Sequence, residues 1–281
     1  MNLKIGLNLF VKEAMLFIIA LSVGLFFAFR LSKLSSLGQF VIEPISFKPT
    51  DLIFLFLFVV FLFLIIKFKK IGGIFLKIFL SMIVFSGSLL IFDTLMVPIF
   101  SISLSIILLI LFLKIKNVII HNIAIILGIA GAGTILGLSL DPLSVVIILV
   151  LFSIYDIIAV YKTKHMVSLA KGMIEGGAIF GFIIPFNFSG FLNSSKDVGS
   201  RIGQDFMILG SGDIGLPIVF AASVVQSSLW SAIVVAAFSV IGLFLTHLIF
   251  INQKERSPMA ALPPIATMAI IGYLLSILIK I

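Results

Sequence analysis

The sequence predicts an all-α membrane protein: a bundle of nine transmembrane helices, with the N-terminus cytoplasmic and the C-terminus extracytoplasmic. Three observations predict it. Hydrophobic residues make up 62% of the 281 and charged residues only 11%, whereas soluble domains are about half apolar and about a quarter charged. Nine apolar stretches have roughly the 17 to 25 residues that a helix needs to cross hydrocarbon. With the N-terminus inside, the outer segments hold only Arg30, Lys33, Lys48 and Lys280 of the 19 basic residues, the bias that orients membrane proteins.

The first span, 13–30, opens at Lys12-Glu13 and is long enough to stay as a helix rather than be removed as a signal peptide. The second is 51–67. The third and fourth, 74–92 and 96–114, are parted by only Asp93 to Leu95. The fifth is 118–138. The sixth, 142–161, follows Asp141, which like Asp51 is well placed as a helix starter. The seventh and eighth, 206–225 and 228–250, meet near Gln226-Ser227-Ser228. The ninth, 261–280, follows Pro258-Met259-Ala260-Ala261-Leu262-Pro263-Pro264, where two prolines suit a helix start.

These spans divide the chain into three parts: a six-helix part at 1–161, an inner loop at 162–205 and a three-helix part at 206–281. The loop contains Ala178 to Phe186, whose roughly nine apolar residues are too few to span, so an interfacial or re-entrant segment is expected. The basic, Gly-rich stretch around it (Lys171, Gly172, Gly176, Gly177) suits a mobile loop on the inner surface. No internal repeat is visible.

Several function classes are excluded. There is no Cys, hence no disulfide, thiolate metal site or cysteine nucleophile. The three His (121, 165, 247) lack metal-ligand spacing, so neither a zinc protease nor another metal or cofactor is expected. The net charge of +8 comes from residues between the spans, where it sets topology beside anionic lipid. The bilayer, not nucleic acid, is the partner it implies.

Two carboxylates lie inside spans: Asp156 in Ser153-Ile154-Tyr155-Asp156-Ile157 and Asp213 in Gly210-Ser211-Gly212-Asp213-Ile214. A carboxylate in hydrocarbon costs about 2.5 to 3.5 kcal/mol on insertion scales. Asp156 precedes Lys162 by six residues and Asp213 follows Asp205 by eight; at 1.5 Å per residue both lie about 9 to 12 Å below the inner surface. On neighbouring helices the two would share a proton, giving one ionised and one protonated acid, as acid–base hydrolysis needs. Gly210 and Gly212 permit close backbone approach, and Pro217 removes a helical hydrogen bond. Broken backbone at that depth belongs beside protein or a water cavity. Tyr155 could aim a hydroxyl near the site, although it points about 100° away from Asp156 around the helix. The other acids, Glu13 among them, fall at span ends or in loops where solvated or capping roles suffice.

Together, Tyr155-Asp156, Gly210-Ser211-Gly212-Asp213 and Ala261-Leu262-Pro263 resemble the presenilin and signal peptide peptidase family of intramembrane aspartyl proteases. The resemblance covers motif order, span count and the long inner loop. It implies that Asp156 and Asp213 are the catalytic pair and that Ala261, Leu262 and Pro263 help form the wall that positions substrate. The family motif begins Pro-Ala-Leu, whereas Ala260 stands at its first position here; Pro258 and Pro264 are the neighbouring sources of rigidity. The N-in orientation is similar to presenilin rather than to signal peptide peptidase. The short chain resembles a microbial homologue in the cell membrane that cleaves transmembrane segments without obligatory partner subunits.

Two other readings use the same residues. Intramembrane aspartates also serve proton- or cation-coupled transporters and channels. Prepilin-type peptidases share a glycine-x-glycine-aspartate, but Tyr155-Asp156 and the Ala-Leu-Pro element fit them less well.

Overall fold

The computed structural model describes residues 3–38, 69–164, 172–174, 177–195, 198–253 and 257–279. The expected second span at 51–67, Lys171, Glu175 and Gly176 lie outside them. In chain order the described helices are α1 (Leu3–Ser36), α2 (Lys69–Asp93), α3 (Pro98–Lys114), α4 (Val118–Leu138), α5 (Pro142–Ile157), α6 (Ser211–Val225), α7 (Leu229–Ile251) and α8 (Leu262–Leu278). Five of these segments, including Pro142–Lys162, are long and apolar enough to cross a membrane; α3, α6 and α8 are shorter apolar helices.

Local chemistry explains the boundaries. Asn117 caps α4 by accepting the Ile119 N–H at 2.7 Å, Asp141 caps α5 through the Ser144 N–H at 2.9 Å, and Ser228 caps α7 through the Ser231 N–H at 3.2 Å; each satisfies a donor that the first helical turn leaves over. Pro98 and Pro142 stand where a helix start needs no N–H. The breaks expected after Asp93 and around Gln226 are both present.

α4 is buried along most of its length, and its glycines explain how closely its neighbours approach. A Cβ on Gly131 would lie 2.1 Å from the Gly87 carbonyl oxygen, and one on Gly87 would lie 2.2 Å from that of Gly128. No residue with a side chain fits between α2 and α4 there. Such small-residue contacts supply packing where lipid offers no hydrophobic drive.

The architecture corrects the all-α expectation at one point. Residues 206–210, predicted as the first turns of a transmembrane helix, form a strand, β2 (Phe206–Gly210). It pairs antiparallel with β1 (Gly181–Pro185), from Gly181 opposite Gly210 to Pro185 opposite Phe206. Within the apolar run of the loop, Gly181–Pro185 is therefore a wholly buried strand. A short run of buried apolar residues fits strand and helix equally by periodicity.

β1 is bonded on both sides. Its even-numbered positions face β2, as the flanking bonds from Ser211 N–H to the Phe180 carbonyl (3.1 Å) and from Phe186 N–H to the Asp205 carbonyl (2.8 Å) require. Its odd-numbered positions face α4. The Asn122 amide gives a hydrogen bond to the Ile183 carbonyl (2.8 Å) and accepts the Ile183 N–H (2.9 Å), while His121 Nε2 lies 3.0 Å from the Gly181 carbonyl oxygen. Asn122 thus stands in for a third strand, and Pro185 lacks an N–H that this side would have to satisfy. At the strand's far end the buried Lys12 ammonium donates to the Phe186 carbonyl at 2.7 Å and sits 4.8 Å from the Phe188 ring centre.

Candidate active site

β2 runs directly into α6, so the sheet fixes where that helix begins. Gly210 is its N-cap, in an extended conformation (φ −64°, ψ 150°), and Asp213 lies in the first turn. Its depth is therefore set by the strand-to-helix junction and not by a continuous helical rise from Asp205. The Asp213 carboxyl reaches back to the Gly210 N–H, the reciprocal half of a capping box. A Cβ on Gly210 would stand 3.1 Å from Asp213 Oδ2; glycine leaves the carboxylate room to turn. Gly210 lies outside the helix and does not weaken it. Gly212 faces open space, and Pro217 is buried inside α6, where it offers no N–H to the Asp213 carbonyl one turn before.

Asp156 lies at the end of α5, just before five residues of π-helix, Ile158–Lys162, a distortion often found at functional sites. It is 6% exposed, and its Oδ2 accepts the Leu262 backbone N–H at 3.4 Å. The start of α8 explains that contact. Ala261 is its N-cap and makes no side-chain cap. Pro263 and Pro264 have no N–H, so two of the four donors that a helix start leaves over do not exist. Leu262 keeps one, and Asp156 takes it.

The turn before α8 is held from α7. Thr246 donates to the Ala261 carbonyl at 3.2 Å, and a Cβ on Gly242 would meet Ile265 Cα at 2.6 Å. Ala260, Ala261 and Leu262 are buried, Pro263 and Pro264 half-buried, and Pro258 exposed. Ala260 therefore packs inside the protein, and Pro264, which α8 includes, is the better placed of its two proline neighbours.

Both carboxyls thus border the same part of the bundle, where α5 packs against α6 and α8. Tyr155 does not join them: it is 51% exposed, on the outer side of α5. Among the described residues no group of three or more His, Cys, Asp or Glu could hold a metal ion.

Several polar residues are buried in the bundle away from the two aspartates. Glu13, expected at a solvated span end, is buried and lies 2.8 Å from His247 Nδ1. Lys12, His121, Asn122 and Thr246 are buried too. The adjacent polar pair His121-Asn122 inside an apolar span was the available signal, since a buried amide needs a partner.

Comparison with known proteins bears on the family and the fold. A family model described as signal-peptide peptidase, presenilin aspartyl protease matches residues 8–281. No curated protein matches the sequence. Among solved structures, the chain is similar to a presenilin family intramembrane aspartate protease in a C222 crystal, at 22% identity and a TM-score of 0.61, covering 94% of this chain and 95% of that one. A second structure so described, in a P2 crystal, is 24% identical with a TM-score of 0.60, covering 94% and 96%.

Proposed function

Since the chain belongs to the signal-peptide peptidase and presenilin family of intramembrane aspartyl proteases, we propose that Asp156 and Asp213 are its catalytic dyad, acting on transmembrane segments of membrane proteins. The carrying observation is the convergence of α5, α6 and the start of α8, with Asp156 on the Leu262 N–H and Asp213 on the Gly210 N–H.

Two carboxyls in one such site cannot both ionise easily, so they share a proton. The ionised member draws a proton from water as it attacks the scissile carbonyl. The protonated member donates to the carbonyl oxygen and later helps protonate the leaving amine. The dyad titrates as a unit, and the roles belong to the pair. Ala261, Leu262 and Pro263 line the site because Thr246 and the Gly242 contact hold them against Asp156.

A helical substrate hides its carbonyls in its own hydrogen bonds, so cleavage needs an unwound segment whose backbone finds new partners. β2 offers them. Ile183 turns its N–H and C=O toward Asn122, so Ile208, opposite it in the register, turns its own away from β1. We assign that edge, which leads into Gly210 and Asp213, to the unwound substrate as an added strand.

In this reading the chain lies in the cell membrane with its N-terminus inside and its C-terminus outside, and works without obligatory partner subunits. The six-helix part contributes Asp156 and the three-helix part the other motifs. The test is cleavage of a transmembrane substrate by purified protein in lipid vesicles. Asp156→Asn and Asp213→Asn should each reduce turnover to background while the protein stays folded, and residual turnover in either would exclude the dyad.

A further inference from the structure

Three buried serines in the helices turn back on their own backbone. Ser105 donates to the Ser101 carbonyl, Ser239 to the Val235 carbonyl and Ser223 to the Phe220 carbonyl, each at 2.8 Å. This local bond satisfies a hydroxyl where no water reaches it. Ser153, on α5, departs from the pattern. Its Oγ is buried and, among the described residues, is the buried side-chain polar atom that has no hydrogen-bond partner. The Leu149 carbonyl, one turn before, is the equivalent acceptor and is not used. A buried hydroxyl left unpaired is costly, so the group calls for a partner that the folded chain does not supply.

Its position says what that partner is. Val145, Leu149 and Asp156 are the buried residues of α5, and Ser153 stands four residues after Leu149 and three before Asp156, in the same stripe. α5 packs against α6 and α8, and Asp156 of this stripe accepts the Leu262 N–H at 3.4 Å. Side chains three apart on a helix have Cβ atoms about 5 to 6 Å apart, which puts the hydroxyl one turn from the proposed catalytic carboxyl. In the proposed topology α5 runs inward, so Ser153 lies about 4.5 Å farther from the inner face than Asp156. β2 enters α6 from the inner side. The sheet edge and Ser153 therefore lie on opposite sides of the site.

A transmembrane substrate unwound against β2 stays helical farther out, and where strand meets helix the end turn leaves up to about four backbone groups unpaired. In hydrocarbon no water serves them. They are carbonyls if the substrate's C-terminus is inside, and N–H groups if its N-terminus is. A hydroxyl answers either, since it donates and accepts. We propose that Ser153 is a substrate-binding residue: its hydroxyl pairs with the backbone of the transmembrane substrate at the junction between unwound strand and remaining helix. This rests on the proteolytic reading of the site given above. The oxygen is covered in this structure, and a substrate seated between α5 and its neighbours uncovers it.

The test uses the full chain in lipid vesicles and a fluorescent single-span peptide with glycines at mid-membrane. Binding is read in chains that also carry Asp213→Asn, so that nothing is cut, and KM and kcat are read without it. Ser153→Ala removes an unpaired buried hydroxyl and should raise the melting temperature. It should also weaken binding and raise KM by about three- to tenfold, with kcat little changed. A peptide truncated to the residues on the inner side of the cut lacks the junction and should bind both chains equally. Replacing the amides just beyond the cut by esters, one at a time, should at one position weaken binding to the hydroxyl-bearing chain and cost nothing further in Ser153→Ala. Unchanged Kd and KM in Ser153→Ala overturn the proposal, as does a lowered melting temperature, which would show that the hydroxyl already has a partner inside the protein. An equal loss for the truncated peptide overturns it too, and so does an ester series with no coupled position. A wild type that binds the peptide but cuts nothing would instead defeat the protease reading, while the binding comparison would still judge Ser153.

Discussion

Asp156 caps a helix that is not its own: its carboxyl accepts the Leu262 N–H at 3.4 Å, at an α8 start where Pro263 and Pro264 have no N–H to offer. One side chain thereby joins α5 to α8 while serving as a proposed catalytic acid. The two roles separate by substitution. Asp156→Asn keeps an oxygen for the N–H, so thermal unfolding in detergent should change little while cleavage is lost. Asp156→Ala loses both, and should cost about 0.5 to 2 kcal/mol in addition. Equal unfolding of the two variants would show that the cap contributes nothing.

The two glycines before Asp213 should behave differently. At Gly210 the backbone is one that alanine adopts readily, so Gly210→Ala should fold. Its Cβ would press on Asp213 Oδ2 at 3.1 Å, and displacement of a reacting group by tenths of an ångström should lower kcat by about tenfold or more. Gly212 faces open space. Gly212→Ala should leave stability within about 0.5 kcal/mol and raise KM, because the added methyl meets substrate rather than protein. Steady-state cleavage of one peptide by both variants checks the contrast, and an unchanged kcat in Gly210→Ala would refute the first half.

At the opposite end of α5, the Ser144 hydroxyl and N–H hold the Asp141 carboxyl below its ordinary range. A carboxyl whose folded value lies below its unfolded one contributes stability at pH above the unfolded value, and loses it as pH falls through the folded one. The melting temperature of the wild type should therefore fall on acidification more steeply than that of Asp141→Asn, with the two curves converging in acid. Parallel curves throughout would refute this. Asp141 is exposed, so the difference is small and shrinks in salt.

Span positions were legible because a helix in lipid must be long and apolar, and the described helices fall within a few residues of the expected ones at 74–92, 118–138 and 228–250. Asp156 and Asp213 stood out in the sequence because a charge in hydrocarbon needs a reason, and Leu262 through the Ala-Leu-Pro motif; the three lie on elements that pack together. The strands were not legible. Phe206 to Gly210 continue without a break into the apolar α6, and nothing in their own pattern marks the change from strand to helix. What decides it is distant: Asn122 and β1 supply partners that a helix over the same residues would not use. The Glu13–His247 pair, 234 residues apart in sequence, was hidden for the same reason, since only folding brings it together.

Asn122 is consequently the residue outside the proposed site whose loss should matter most. It holds both backbone groups of Ile183, at 2.9 Å and 2.8 Å, and β1 in turn holds β2, which ends at Gly210. Asn122→Ala leaves a buried N–H and a buried carbonyl unpaired, each costing about 1 to 3 kcal/mol, so stability should fall by at least about 2 kcal/mol. The Ile183 amide should exchange hydrogen much faster, and cleavage should fall although Asn122 touches neither aspartate. Asn122→Leu fills the space without the bonds and should lose as much. Were either variant to keep full protection at Ile183, the amide clasp would not be what anchors the sheet, and the placement of Asp213 would need another cause.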